Sequence, residues 1–381
     1  DDPDAVEFAP KRHDLQVTQR TAPNLKPADI EIRAGQRIEE PVPNPLIESS
    51  VTLGEAAQAE RASVDDAIDV PVLVHEYLDL HAAPVRAIRV CPPLGLGLSC
   101  DDAGVVTLWP LDATQGMEPI RRRVGTPEAP INCVAFDVRG QRVVVAGMAG
   151  LVRAWPLEAF ADATRSLPPP PDMVQAHKGG VYVADVLPFR TIDLRAITGG
   201  RDGWIVKWNV TKGEPLGRWR AHQSSVVALA LTENGSQALT AGEDRTLTLW
   251  DVGNGQDLRM ITKAHEGSIH DVAISQFGDR AISAADDGAK LWDLSIGDEL
   301  NRLVVHQGPV YGVSFLAGKA MALTVGADGT AAIWSVRKRS LLCHWEAHPG
   351  AAAVTVRTLD ASTFATGGAD GHVRLWRLAP A

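Results

Sequence analysis

The chain has 381 residues, 45% of them hydrophobic, and a formal net charge of −10; it holds no run of 18 apolar residues, so a sizeable buried core is expected and a membrane-spanning helix is not. The acidity is uneven: residues 1–70 carry 15 Asp/Glu against 7 Lys/Arg, hence −8, and the remaining 32 against 30 give −2. The near-neutral larger part argues against a broad nucleic-acid surface.

Residues 1–70 read as an extended acidic arm with no core of its own. Phe8 is their only aromatic residue, and prolines stand at 3, 10, 23, 27, 41, 43 and 45. Ile30-Glu31-Ile32 could pair as an extended segment, and Gly54 to Ala62 could form a short helix after Thr52. Two placements are open for the arm: along its own domain, or threaded into a larger assembly. The chain starts at Asp1 without Met, on which an exported or periplasmic location is preferred to a cytoplasmic one.

From residue 71 the chain repeats. Trp208, Trp250, Trp292, Trp334 and Trp376 are spaced by 42 each time; Trp155 precedes Trp208 by 53, and Trp109 precedes Trp155 by 46. Seven units of this length each suit one four-stranded propeller blade. The unit opening at His222 is the clearest. Val226 to Leu231 reads as a first strand, Glu233-Asn234-Gly235 as a turn, Ala238 to Ala241 as a second strand, and Thr246 to Trp250 as a third with period-two alternation. A fourth strand runs on toward the next His. The last unit ends at Trp376, five residues before the C-terminus, and so lacks its fourth strand. Residues 72–79 are expected to supply it by pairing with Val373–Arg377, leaving no open sheet edge. The expected fold is all-β: a seven-bladed β-propeller over residues 71–381, its last blade closed by the N-terminal strand, preceded by the extended, proline-containing acidic arm.

On these residues the chain resembles the WD-repeat family; Trp250-Asp251 and Trp292-Asp293 carry its dipeptide as written. The resemblance covers about residues 72–381. It implies a buried polar network in each blade, linking His, Ser/Thr, Asp and Trp. Five units carry all four: His177, Thr198, Asp202 and Trp208; His222, Thr240, Asp244 and Trp250; His265, Ser283, Asp287 and Trp292; His306, Thr324, Asp328 and Trp334; His348, Thr366, Asp370 and Trp376. A carboxylate buried at a turn needs donors, and imidazole, hydroxyl and indole can supply them. The first unit has His81, Ser99 and Trp109 but Ala103 at the Asp position. The second keeps only Trp155, with Pro127, Val145 and Ala149 at the polar positions.

The resemblance also implies peptide binding on the rim that carries the blade-entry loops. The exposed positions there are Arg86, Asn132, Met148, Tyr182, Arg201, His270 and Tyr311, alongside Asp102, Glu243 and Asp286; the seventh unit offers only Ala351, Ala353 and Ala369. The opposite rim carries enlarged loops, including Leu157 to Phe160 with the run Pro168 to Pro171, residues added around Phe189-Arg190-Thr191, and a basic loop, Arg121-Arg122-Arg123, that could receive the acidic arm.

No catalytic set, metal site or cofactor motif emerges. His265-Glu266 with His270 has HExxxH spacing, one residue too long for a metalloprotease helix. Cys91, Cys100, Cys133 and Cys343 include no CxxC, and Cys91 and Cys100 are out of register for a hairpin bridge. The expected role is a non-catalytic protein–protein interaction scaffold, a subunit or assembly factor of a multi-protein complex, docking through the arm and the rims. The expected partners are proteins and not nucleic acid. There is no membrane span, although a membrane complex could be the partner. Two other classes stay open: an enzyme or cofactor site in the central channel, and a regulatory propeller of a larger processed or fused protein.

Overall fold

The computed structural model describes residues 69–380 apart from 113, 115, 138 and 189–192. The expectations for the arm, including Ile30–Ile32 and the Gly54–Ala62 helix, and for Phe189-Arg190-Thr191, lie outside the described residues.

Seven four-stranded antiparallel sheets follow one another along the chain. The inner strands are Val85–Cys91, Ile131–Phe136, Val181–Val186, Val226–Leu231, Ile269–Ile274, Val310–Phe315 and Ala353–Thr358. Each next strand in sequence pairs outward from there, as the short turns dictate. Gly and turn residues separate the strands, and second strands such as Gln237–Gly242 are buried on both faces between neighbouring blades. That is why they read as unbroken small apolar runs rather than alternations.

Every inner strand skips one residue against its partner. The register shifts fall between Val85 and Ala87, Ile131 and Cys133, Val181 and Val183, Val226 and Ala228, Ile269 and Asp271, Val310 and Gly312, and Ala353 and Thr355. A β-bulge re-aims the unpaired side chain. The seven skipped residues are therefore one series: Arg86, Asn132, Tyr182, Val227, His270, Tyr311 and Val354.

The ring closes as the repeat count requires. Strand Asp69–Tyr77 lies antiparallel on the last strand, Val373–Pro380, in register from Asp69 opposite Pro380 to Tyr77 opposite Val373; it ends at Tyr77, so residues 78 and 79 are turn and not strand. Its own bulge, which skips Val74 opposite Trp376 and Leu375, matches those that skip Leu216, Leu258, Leu300 and Leu342 in the outer strands of blades 3–6. The N-terminal strand thus occupies the place of an ordinary fourth strand. Glu76 stands opposite Arg374 and accepts from its guanidinium at 2.5 Å, while Arg374 also donates to Asp370 at 2.8 Å. The Tyr77 hydroxyl donates to the Pro110 carbonyl, and its ring packs on Trp109 at 5.3 Å, so the closing strand is fastened to blade 1 as well as blade 7.

Arg121, Arg122 and Arg123 form no loop. They lie in the outer strand of blade 1, Ile120–Arg123, and their guanidiniums are occupied by backbone carbonyls. Arg121 donates to Asp79 and Leu80, Arg123 to Ala103, and Arg122 to Phe160, Arg165 and Asp162. Arg122 thereby pins the enlarged loop of blade 2, whose short helix Leu157–Ala161 packs Phe160 against Trp155 at 6.1 Å. The four cysteines are free, with Cys91 opposite Leu96 and Cys100 opposite Ala87.

Candidate functional site

Two constellations hold the polar side chains: one locks each blade, the other lines the channel. In the blades, His Nδ1 meets the Asp carboxylate and His Nε2 meets the Ser/Thr hydroxyl, which also accepts the indole N–H. For blade 4 these distances are 3.1 Å for His222–Asp244, 2.8 Å for His222–Thr240 and 2.9 Å for Trp250–Thr240. The same three contacts join His177, Thr198, Asp202 and Trp208; His265, Ser283, Asp287 and Trp292; His306, Thr324, Asp328 and Trp334; and His348, Thr366, Asp370 and Trp376. In blades 3 to 6, with Nδ1–H on a carboxylate, Nε2 is the lone-pair acceptor of the hydroxyl proton, so the partners assign the tautomer; in blade 7 the Arg374 guanidinium also reaches His348 Nδ1. The second Asp oxygen accepts a backbone N–H beyond the His: Gln223 at 2.8 Å and Gln307 at 2.7 Å. Turn and entry loop are thereby tied together.

Blade 1 corrects the expectation drawn from Ala103. Its carboxylate comes from Asp101, two residues earlier, at 3.1 Å from His81 Nδ1; Ser99 stands 2.7 Å from His81 Nε2 and accepts from Trp109 at 3.1 Å. Asp101 occupies the place of Gly200, Gly242, Gly326 and Gly368, where an added Cβ would run directly at the His ring. The aspartate fills that space with the group the ring needs. In blade 2, where Val145 is fully buried, the Trp155 N–H goes to the Pro168 carbonyl at 2.8 Å. The proline run thus replaces the missing hydroxyl.

These contacts consume the repeat's polar residues. The second set is the bulge series at the channel mouth. Arg86, Asn132, Met148, Tyr182, His270 and Tyr311 line one cavity of about 470 Å³; Arg201 is not part of that lining. Several rim residues are held by their neighbours. Arg86 pairs with Asp102, His270 Nε2 lies 2.7 Å from Asp286 with its ring edge-on to Tyr311 at 5.1 Å, and Asn132 donates to the Val181 carbonyl at 2.8 Å. The Ser268 amide and His270 hold the Asp286 carboxyl below the usual carboxylate range. Met148 borders Gly180, whose φ of +118° lets the entry loop of blade 3 pass beside the thioether.

Deeper in the same cavity lie residues not singled out from sequence: Arg89, Cys133, Asp271, Thr355 and Arg357, with Val227 and Val354 completing the bulge series. Arg357 donates to Asp271 at 3.0 Å, and Asp271 also accepts the Val313 amide at 3.2 Å. Burial pushes the Cys133 thiol up to about 11, so it is a protonated thiol near neutrality rather than a nucleophile. Among the described residues no cluster of three or more His, Cys, Asp or Glu is placed to hold a metal ion, and no helix is long and apolar enough to cross a membrane. The channel offers guanidiniums, phenols, a thioether and one paired carboxylate, a chemistry suited to recognising side chains.

The WD domain, G-beta repeat family (WD40) matches residues 213–251, 256–293, 297–335 and 339–377. Each match joins the outer strand of one blade to the three inner strands of the next, and the closed seven-bladed ring extends the same unit beyond them. The chain is a WD-repeat β-propeller. Among curated WD-repeat relatives, it is 26% identical over 194 residues to a p21-activated protein kinase-interacting protein 1-like from Danio rerio, covering 48% of this chain and 49% of that protein. It is 26% identical over 163 residues to protein tipD of Dictyostelium discoideum, covering 42% of this chain and 26% of that protein. It is 22% identical over 316 residues to a guanine nucleotide-binding protein subunit beta of Oryza sativa subsp. japonica, covering 78% and 81%. The chain thus spans half or less of the length of the first two relatives, and of these three this propeller's fit is broadest with the third.

Proposed function

We propose that this WD-repeat propeller is a non-catalytic protein–protein interaction scaffold that contributes to a multi-protein complex through its channel mouth and its arm, residues 1–70. The observation that carries the reading is the bulge in every blade, which turns one side chain per blade into a shared concave mouth. Met148, Tyr182 and Tyr311 on that mouth are the residue types that anchor interfaces, adaptable or aromatic with a polar tip. The Danio rerio relative is itself named for interaction with a protein kinase, which supports the same reading. The rim's mixed charge suits a protein partner better than a polyanion.

The test is affinity capture from the source cells with three forms: the intact chain, Tyr182→Ala with Tyr311→Ala, and a chain lacking residues 1–63 that keeps the closing strand. A defined set of proteins recovered with the intact chain should fall by about tenfold with the mouth variant, as for loss of an anchor worth about 1.4 kcal/mol. Loss with the truncated chain assigns a share to the arm. An identical set recovered with all three forms would remove both surfaces from the reading.

A further inference from the structure

The channel below the mouth carries a guanidinium with no ion-pair partner among the described residues. The cavity lining holds three guanidiniums, Arg86, Arg89 and Arg357, against one carboxylate, Asp271. Arg86 is taken by Asp102 at the rim and Arg357 by Asp271 at 3.0 Å. Arg89 has neither. Among the described residues no carboxylate stands within 4.0 Å of it, and its one hydrogen bond runs from Nη1 to the carbonyl of its own neighbour, Ile88, at 3.0 Å. The fold fixes it there: Arg89 lies three residues past the bulged Arg86 on the inner strand of blade 1. Burial and the like charge of Arg357 both lower its affinity for the proton, with Asp185 and Asp271 opposing them more weakly. A bound anion would relieve both strains.

We propose that the channel is a carboxylate-binding site in which Arg89, reached through the mouth, takes the ligand's carboxylate on its free N–H groups. The planar fork of a guanidinium matches the two oxygens of a carboxylate, and on the same lining Arg357 already donates from Nη1 to one Asp271 oxygen at 3.0 Å. A singly charged carboxylate meets the one unpaired guanidinium, whereas a dianionic phosphate would also face Asp271. A cavity of about 470 Å³ accommodates a small organic acid or one inserted side chain. The carboxylate can therefore come from a free acid or from an acidic side chain of a docked segment. The first source stands apart from the docking function proposed above; the second rests on it.

Calorimetric titration of the intact chain at constant ionic strength separates these cases. The probes are butyrate, its uncharged twin butyramide, a short capped peptide with one glutamate, and the same peptide with glutamine. At least one carboxylate probe should bind, and its amide counterpart should not. Arg89→Gln should weaken that binding by about tenfold or more, the scale of one charge-assisted pair, while Arg302→Gln, on the outer strand of blade 5 and outside the cavity lining, leaves it nearly unchanged. Melting curves without ligand establish that the variants fold. If Arg89→Gln does not fold, Arg89→Lys should show the same weakening, since it keeps the charge and loses the fork. Butyrate binding identifies a free acid; peptide binding that is also lost in Met148→Ala with Tyr182→Ala identifies a docked segment. Failure of both carboxylates, equal binding of the amides, or undiminished binding by the Arg89 variant overturns the proposal. A negative result here with intact protein capture at the mouth would leave the scaffold reading standing.

Discussion

Thr240→Val tests the blade lock most directly, because it keeps shape and removes one oxygen. That oxygen is 2.8 Å from His222 Nε2 and 2.9 Å from Trp250 Nε1, and Thr240 is fully buried. Its loss leaves a buried imidazole nitrogen and a buried indole N–H unpaired, at about 1–3 kcal/mol each, so about 2–5 kcal/mol in all once some relaxation is allowed. Against a typical total of about 5–15 kcal/mol this is a large share, and it corresponds to a fall of about 4–10 °C in melting temperature for a domain of this size. Thermal and urea melts followed by tryptophan fluorescence read it. Blade 2 supplies the control. Val145 already occupies the equivalent place with Trp155 satisfied by Pro168, so Val145→Thr should stabilise nothing and should cost about 1 kcal/mol by burying a new hydroxyl. A Thr240→Val protein that melts within about 1 kcal/mol of the parent would refute the idea that paired polar groups lock the blade.

Acid should weaken the ring in two stages. Burial holds His222, His265, His306 and His348 below the ordinary histidine value despite their Asp partners. The unfolded chain therefore binds more protons as pH falls through about 6.5, and stability present above that value is lost on the way down to the folded values. Asp244, Asp287, Asp328 and Asp370 are disfavoured by burial, yet hydrogen bonds bring them below the ordinary aspartate value of 3.8, Asp328 to about 2, so a second loss follows below 3.8. A melting temperature that is constant or rising from pH 7 to pH 5 would contradict the first stage. Deleting residues 69–77 should abolish the native fold, since it strips the last blade of its fourth strand and blade 1 of Tyr77; a soluble monomer with an unchanged melting temperature would show the closing strand dispensable. Arg122→Ala should release the blade 2 insertion and speed proteolysis between residues 162 and 171 with the circular dichroism unchanged; cleavage at the parental rate would mean the three carbonyl contacts do not hold it.

The blade count and the closing strand were legible because both follow from burial with a period. Each Trp must lie between sheets, and a last unit with three strands must find a fourth. Asp101 was not legible because an aligned column assumes one route to the His ring, while the backbone brings a side chain at either of two positions to Nδ1. Contacts to backbone carbonyls leave no mark in the sequence at all. Arg121 to Arg123 therefore read as a free basic loop, and the link from Trp155 to Pro168 was invisible. The mouth residues followed from spacing after each His, but Arg89, Asp271 and Arg357 required the bulge. A skipped residue shifts which later positions face the channel, and only the paired strands reveal the skip.

The closing strand also sets an order of events in folding. Six blades are assembled from neighbours in the chain and can form locally as it lengthens. The seventh needs Asp69 beside Pro380, the longest loop closure in the propeller and the last that synthesis permits. Until then strand Val373–Pro380 presents an unpaired edge, and the waiting segment presents Val72, Leu73 and Val74, which remain exposed even when it is docked. Two nascent or heated copies meeting in that state could each accept the other's segment in the same register, giving reciprocally closed dimers built from native contacts alone.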